Sequence, residues 1–184
     1  VVDSAMVDGS LSLMSFFYSL KEMGHWEDSR ESNLLDGFAH FYDTYECSDN
    51  KYIAVGSIEP QFYSELLDKL EIDDEQFKDQ HNKKMWPELK EKMAAKIRLK
   101  SRSEWVEIFS DSDACVSPVL SMEEAKKHPH NLARDAFTTI DGFNQPNASP
   151  RYSKTQQKVK HNAKKVGTDL DDICNEFNLS KDVL

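Results

Sequence analysis

Tyr52-Ile-Ala-Val-Gly-Ser-Ile-Glu59-Pro-Gln-Phe-Tyr63 changes its period in mid-stretch. Tyr52 to Ile58 is a short β-rich run. Pro60 then supplies the fixed φ that suits the first position of a helix, and Phe62, Tyr63, Leu66, Leu67 and Leu70 follow at helical spacing. Glu59 therefore falls on a strand-to-helix junction, where the leading N–H groups of the helix favour a negative charge. Two readings of that carboxylate stand side by side: a cap for the helix of Gln61 to Leu70, or an acid placed to act on something else.

Upstream, Phe41 to Cys47 and Lys51 to Ile58 are two β-rich runs, and Ser48-Asp49-Asn50 between them is a turn of hairpin length. Downstream, Ile72 to Lys84 reads as an acidic-then-basic surface segment holding a further short helix. Trp86-Pro87 opens a helix with Leu89, Met93, Ile97 and Leu99 along one face, and Ser103 leads a shorter one anchored by Trp105, Ile108 and Phe109. Ala114 to Leu120 is a β-run whose Pro118 assigns it to an edge or a bulge. Ser121-Met-Glu-Glu124 has the spacing of a capping box and predicts a helix through Lys127; Asn131 to Ala136 continues after the Pro129 turn. Phe137 to Ile140 reads as one more strand and Gln145 to Thr155 as an extended stretch. Leu170, Ile173, Cys174 and Phe177 mark a terminal amphipathic helix.

At the other end, Ser4 heads a long helix whose apolar residues Met6, Val7, Leu11, Leu13, Met14, Phe16, Phe17 and Leu20 cover more than one face. Such a helix needs burial on most sides, so it is expected against a second chain or another domain. Gly24 stops it, and Gly24 to Ser32 is a polar connection. The fold class is α+β: a short, mainly antiparallel sheet with helices, flanked by a long N-terminal helix and a C-terminal return segment. The expected division is 1–32, 33–142 and 143–184.

Composition narrows the function. The formal charge of -10 over 184 residues argues against nucleic acid, which calls for clustered cations. Lys154, Lys158, Lys160, Lys164 and Lys165 are a local exception, read first as a solvated face and second as a contact for an anionic ligand. Cys47, Cys115 and Cys174 are odd in number and widely spaced, as in a reducing, intracellular compartment; mitochondrial, peroxisomal and cytoplasmic locations stay open. The six histidines offer no ligand cluster, and His128 and His130 flank a proline as in a turn, so no metal is expected. No apolar run is long enough to span a bilayer. Val1-Val-Asp3 reads as the end of a strand feeding a helix, which leads us to expect residues upstream.

Five segments occur in order: Asn33-Leu-Leu-Asp-Gly37 with Phe41-Tyr-Asp-Thr-Tyr45; Ala54-Val-Gly-Ser-Ile-Glu-Pro-Gln-Phe-Tyr63; Asp113-Ala-Cys-Val-Ser-Pro-Val-Leu120; His128-Pro-His-Asn131 with Arg134; and Ser149-Pro-Arg-Tyr-Ser153. Together they resemble the second half of the α-methylacyl-CoA racemases, within the family III CoA-transferase superfamily. The resemblance implies the small domain of that fold, without the N-terminal CoA-binding domain. It departs from the family at Phe38, usually a second glycine, and at His40, usually proline; His40 is read as a half-exposed loop histidine. Asn147 and Ser149 also depart from the usual Pro-Ala-Pro-Ala pattern. The closing Lys181-Asp-Val-Leu184 matches neither a peroxisomal nor a retrieval signal.

The implied chemistry is inversion of the 2-methyl centre of an acyl-CoA thioester, by α-proton removal to an enolate and return of a proton on the other face. In the family a histidine and an aspartate do this, and both match positions upstream of Val1. The residue matching Glu59 supports the histidine. Gly37, Tyr42 and Ile58 would line the acyl side of the pocket in an interlocked homodimer. No cofactor is implied, since CoA is part of the substrate. This chain by itself is then expected to be inactive. Two alternatives stand: a CoA-transferase of the same superfamily, working through an aspartyl anhydride and thioester, and a non-catalytic dimerisation domain. The Ser57-to-Tyr63 and Asp113-to-Val119 segments resemble the racemase branch more closely.

Overall fold

The computed structural model describes residues 2–180, so the closing Lys181 to Leu184 lies outside the described residues. The chain divides into two compact units, Val1–Val119 and Leu120–Leu184.

The first unit begins with two eight-residue helices, α1 (Met6–Leu13) and α2 (Ser15–Glu22), where the apolar run predicted one long helix. Serines account for the break between them at Met14. Ser10, Ser15 and Ser19 turn their hydroxyls onto the carbonyls of Met6, Ser12 and Ser15, a back-bonding that competes with the helical ladder and bends it. Ala5, not Ser4, is the N-cap, and it makes no side-chain cap bond. α2 ends as Gly24 predicts: Gly24 has φ +75°, its N–H donates to Lys21 O, and that of His25 donates to Leu20 O. Met6, Leu13, Met14, Phe16 and Tyr18 are exposed.

A three-stranded antiparallel sheet follows, in the order β1 (Tyr42–Glu46), β2 (Tyr52–Gly56), β3 (Val116–Pro118), once the chain has run through α3 (Pro60–Leu70), α4 (Trp86–Ile97) and α5 (Arg102–Ile108). Tyr42 pairs with Gly56 and Glu46 with Tyr52, and the hairpin turns at Asn50, whose φ is +57°. β3 pairs with β2 from the outer side, Ile53 opposite Pro118, so Pro118 sits on an edge strand where its missing N–H is tolerated. The helices cover the sheet with a core of Phe41, Tyr45, Ile53, Tyr63, Leu66, Leu70, Phe77, Trp86, Leu89, Met93, Ile97 and Trp105.

Three expectations are corrected here. Leu99 lies past the end of α4 and is exposed, because only the Trp86, Leu89, Met93, Ile97 stripe faces the core. α5 begins at Arg102, one residue ahead of the expected Ser103, because Ser101 caps it: the Ser101 hydroxyl accepts from Glu104 N–H and the Glu104 carboxylate accepts from Ser101 N–H at 2.8 Å. The segment Ile72 to Lys84 is more than surface: a 3₁₀ turn at Glu75–Lys78 buries Phe77, and Gln80 is buried two residues beyond it.

In the second unit, Ser121 and Glu124 form the predicted capping box at the head of α6 (Met122–Lys127), and α7 (Pro129–Ala133) starts at the proline. β4 (Phe137–Ile140) and β5 (Phe143–Pro146) form a two-stranded hairpin through Asp141 and Gly142, both at positive φ. Part of the stretch expected to be merely extended is thus strand. The last helix among the described residues is α8 (Leu170–Phe177).

Candidate active-site surface

Glu59 is the N-cap of α3, with extended backbone (φ -72°, ψ 141°), Pro60 following at the first helical position, and its carbonyl accepting from Tyr63 N–H at 2.9 Å. Its side chain does not cap the helix. The residue is exposed, and among the described residues no hydrogen bond or ion pair takes up its carboxylate. The acid thus makes no capping hydrogen bond, and it is presented to the outside from a fixed backbone. Its charge reaches Cys115, an exposed residue with φ +55°, whose thiol is held above its usual range first by partial desolvation and then by Glu59.

The junction beneath Glu59 is polar and buried. Ser57 is fully buried: its N–H donates to Phe41 O at 3.0 Å and its hydroxyl to Ala114 O at 2.5 Å. Gln80, 6% exposed, donates from Nε2 to Ser57 O at 3.0 Å and to Ile58 O at 2.9 Å. Gln80 is a residue that sequence reasoning missed; a glutamine among alternating charges carries no periodic signal.

Gly37 and Tyr42 lie together on the rim of an open hollow of about 450 Å³, with Asp36, Asp43, Gly56 and Cys115. Gly37 sits at φ +89°, a conformation glycine adopts freely, with Asp43 alongside. Lys90 clasps this corner by donating to Gly37 O at 2.6 Å and pairing with the Asp43 carboxylate. The turn leading into it is held by buried Asn33, whose N–H and side-chain amide donate to Asp36 at 2.9 and 2.8 Å. Burial opposes ionisation of Asp36, but the hydrogen bonds from Asn33, Ser32 and Phe38 outweigh it and hold the carboxyl below its usual range. The Tyr42 ring lies over Gly56, 3.7 Å from where a Cβ would stand. Ile58 is half-buried against the core and outside the lining of the hollow.

His40 is completely buried, which corrects the half-exposed expectation. Phe41, Tyr63 and Phe77 surround it edge-on at 5.0 to 5.5 Å. Tyr63 donates its single hydroxyl proton to Phe77 O at 3.0 Å, so at 2.7 Å it must accept from His40 Nε2–H. The imidazole is then the neutral Nε2–H tautomer, with Nδ1 bare. Burial, with the neighbouring His81 second, pushes its pKa down to about 4. It is a core group, sealed from any substrate. Phe38, the other departure, packs edge-on against Trp86 at 5.6 Å.

No group of three or more His, Cys, Asp or Glu able to hold a metal occurs among the described residues, and no helix there is long and apolar enough to cross a membrane. Lys154, Lys158, Lys160, Lys164 and Lys165 are all exposed, in keeping with a solvated face.

Residues 1–170 match CoA-transferase family III. The chain belongs to that family. Among family III relatives it is 40% identical to mouse alpha-methylacyl-CoA racemase over 185 residues, covering 99% of this chain and 48% of that protein. To human alpha-methylacyl-CoA racemase it is 36% identical, with the same coverages of 99% and 48%. The chain thus spans about half the length of the curated relatives it matches. A crystal structure of a mutant of Rv3272 from Mycobacterium tuberculosis superposes with a TM-score of 0.67 at 16% identity, covering 98% of this chain and 47% of that one. That likeness establishes the fold.

Proposed function

We propose that this chain is the acid-bearing half of an α-methylacyl-CoA racemase, and that Glu59 steadies the histidine that moves the α-proton. The observation that carries the reading is Glu59 itself: an exposed carboxylate that no hydrogen bond or ion pair takes up among the described residues, at the head of a helix whose entry is locked. The racemase names of the mouse and human relatives, at 40% and 36% identity along nearly the whole chain, supply the reaction.

Inversion at C2 needs one group on each face. A base removes the C2 proton, the electron pair passes into the thioester carbonyl as an enolate, and an acid on the opposite face returns a proton to C2. A carboxylate hydrogen-bonded to an imidazole N–H fixes its tautomer and favours its protonated form, so the same ring serves as base in one direction and acid in the other. Gly37 and Tyr42 border the acyl side, and Ile58 supports the junction from below. The reaction needs no cofactor, since CoA is part of the substrate. The exposed Met6, Leu13, Met14 and Phe16 of α1 and α2 suit an interlocked homodimer, in which a second copy covers them.

The test is a chimera in which this chain replaces the matching half of the mouse racemase, assayed by deuterium wash-in at C2 of a 2-methylacyl-CoA. Exchange is expected in the chimera and not in this chain alone. Glu59→Gln in the chimera should lower kcat by about tenfold or more, less than the full ~10²–10⁴-fold that a positioned acid–base group supplies because Glu59 acts through the histidine, and move the pH profile to lower pH because the imidazole loses its anion. A folded chimera without exchange, or exchange by this chain alone, overturns the reading.

A further inference from the structure

The carbonyls of Ser57 and Ile58 lie in a gap between ladders: β2 ends at Gly56, α3 begins at Pro60, and proline has no N–H to offer. Ser57 is buried and Ile58 half-buried, and carbonyls enclosed in such a gap need a donor from elsewhere. Gln80 supplies it, and each of its two Nε2 hydrogens has its own acceptor, Ser57 O at 3.0 Å and Ile58 O at 2.9 Å. No other donor reaches either carbonyl among the described residues. Gln80 is itself tied down, since its main-chain carbonyl accepts from Trp86 Nε1 at 2.8 Å, and Trp86 packs on Phe41, whose carbonyl holds Ser57 N–H. The peptide planes on the two sides of Ile58 are thereby fixed, and Glu59 is the next residue.

We propose that Gln80 is a positioning residue for Glu59: its amide bridges the two carbonyls that precede the acid and so sets the direction in which the carboxylate leaves the junction. The inference rests on the reading of Glu59 as the working acid. Geometry makes the effect large, because a misplacement of about 1 Å in a catalytic constellation costs on the order of 10²-fold in rate. Three substitutions probe it differently. Gln80→Met keeps the length and removes both donors. Gln80→Asn keeps the amide but is too short to span both carbonyls. Gln80→Glu puts a carboxylate against two carbonyl oxygens, and only its protonated form, favoured by burial and by that contact, restores one bond.

The experiment combines amide exchange in this chain with kinetics in the chimera. In Gln80→Met, the amides of Ser57, Ile58 and Tyr63 should exchange about tenfold faster while those of Leu66 and Leu70 keep their rates; a general loss of stability would move all of them together. In Gln80→Glu, protection at Ser57 and Ile58 should be retained at acidic pH and lost at neutral pH, a dependence the wild-type amide lacks. In the chimera, Gln80→Met should lower kcat by about tenfold with KM nearly unchanged. If Gln80→Met does not fold, Gln80→Asn gives the same comparison. Unchanged exchange at the junction overturns the proposal. So does unchanged kcat in a chimera that Glu59→Gln damages. If Glu59→Gln is silent while the junction loosens, it is the reading of Glu59 that has failed, and the catalytic meaning of Gln80 falls with it.

Discussion

Acidification from pH 7 to pH 5 should destabilise this protein through His40 before its carboxylates protonate. The folded pKa lies near 4 against an ordinary 6.5, because the ring is sealed among Phe41, Tyr63 and Phe77 and its neutral Nε2–H is spent on Tyr63. As pH falls through 6.5 the unfolded chain takes up a proton at this position and the folded chain refuses it until about pH 4. The stability that neutral His40 contributes is therefore whole above pH 6.5 and is lost progressively down to pH 4. Taking 1.36 kcal/mol per unit, the full loss is about 3 kcal/mol, of which about 2 kcal/mol falls between pH 7 and pH 5. That is a large share of the stability of a domain this size. The assay is urea unfolding followed by tryptophan fluorescence at half-unit steps of pH, on the wild type and on His40→Phe. His40→Phe is expected to start less stable at pH 7, since Tyr63 loses its donor, and to lack the slope between pH 7 and pH 5. Parallel curves for the two proteins over that interval would refute the assignment of His40 as a buried neutral base.

Three further outcomes follow from local geometry. Gly37→Ala should lower stability by about 1–2 kcal/mol, almost all of it from the positive φ of 89°, because the new Cβ would stand at an ordinary 3.5 Å from Asp43; a shift of the urea midpoint with unchanged slope checks this. Trp105→Ala should cost about 3–5 kcal/mol, since the ring is 1% exposed and its Nε1–H donates to Ile97 O at 2.7 Å; calorimetry should show the melting temperature falling well beyond that of any surface substitution. Ser101→Ala should cost about 1 kcal/mol by removing the capping box of α5, with faster amide exchange confined to Glu104 and Trp105.

Much of the candidate site was legible along the chain. Pro60 after a β-run was enough to place Glu59 at the head of a helix, and the Ser48 to Asn50 turn was enough to pair the strands that deliver it. The Asp141-Gly142 turn carried the same kind of signal for β4 and β5, although only β4 was expected as a strand. By contrast, nothing near His40 distinguished a loop histidine from a core one, and nothing near Gln80 marked it as the clasp of a junction 22 residues away. Serines at 10, 15 and 19 break the N-terminal helix through hydroxyl bonds that apolar periodicity does not register.

The difference is one of range. Turn chemistry, capping boxes and the strand-to-helix switch are settled by dihedral preferences and by neighbours within about four residues, so the sequence by itself determined the hairpin, the heads of α3 and α6, and the exit point of the acid. Burial of a polar side chain is settled by what closes over it from elsewhere in the chain. Only the tertiary structure decided that His40 is sealed in an aromatic cage, that Gln80 bonds beneath Glu59, and that Glu59 itself faces outward with no hydrogen bond or ion pair on its carboxylate among the described residues.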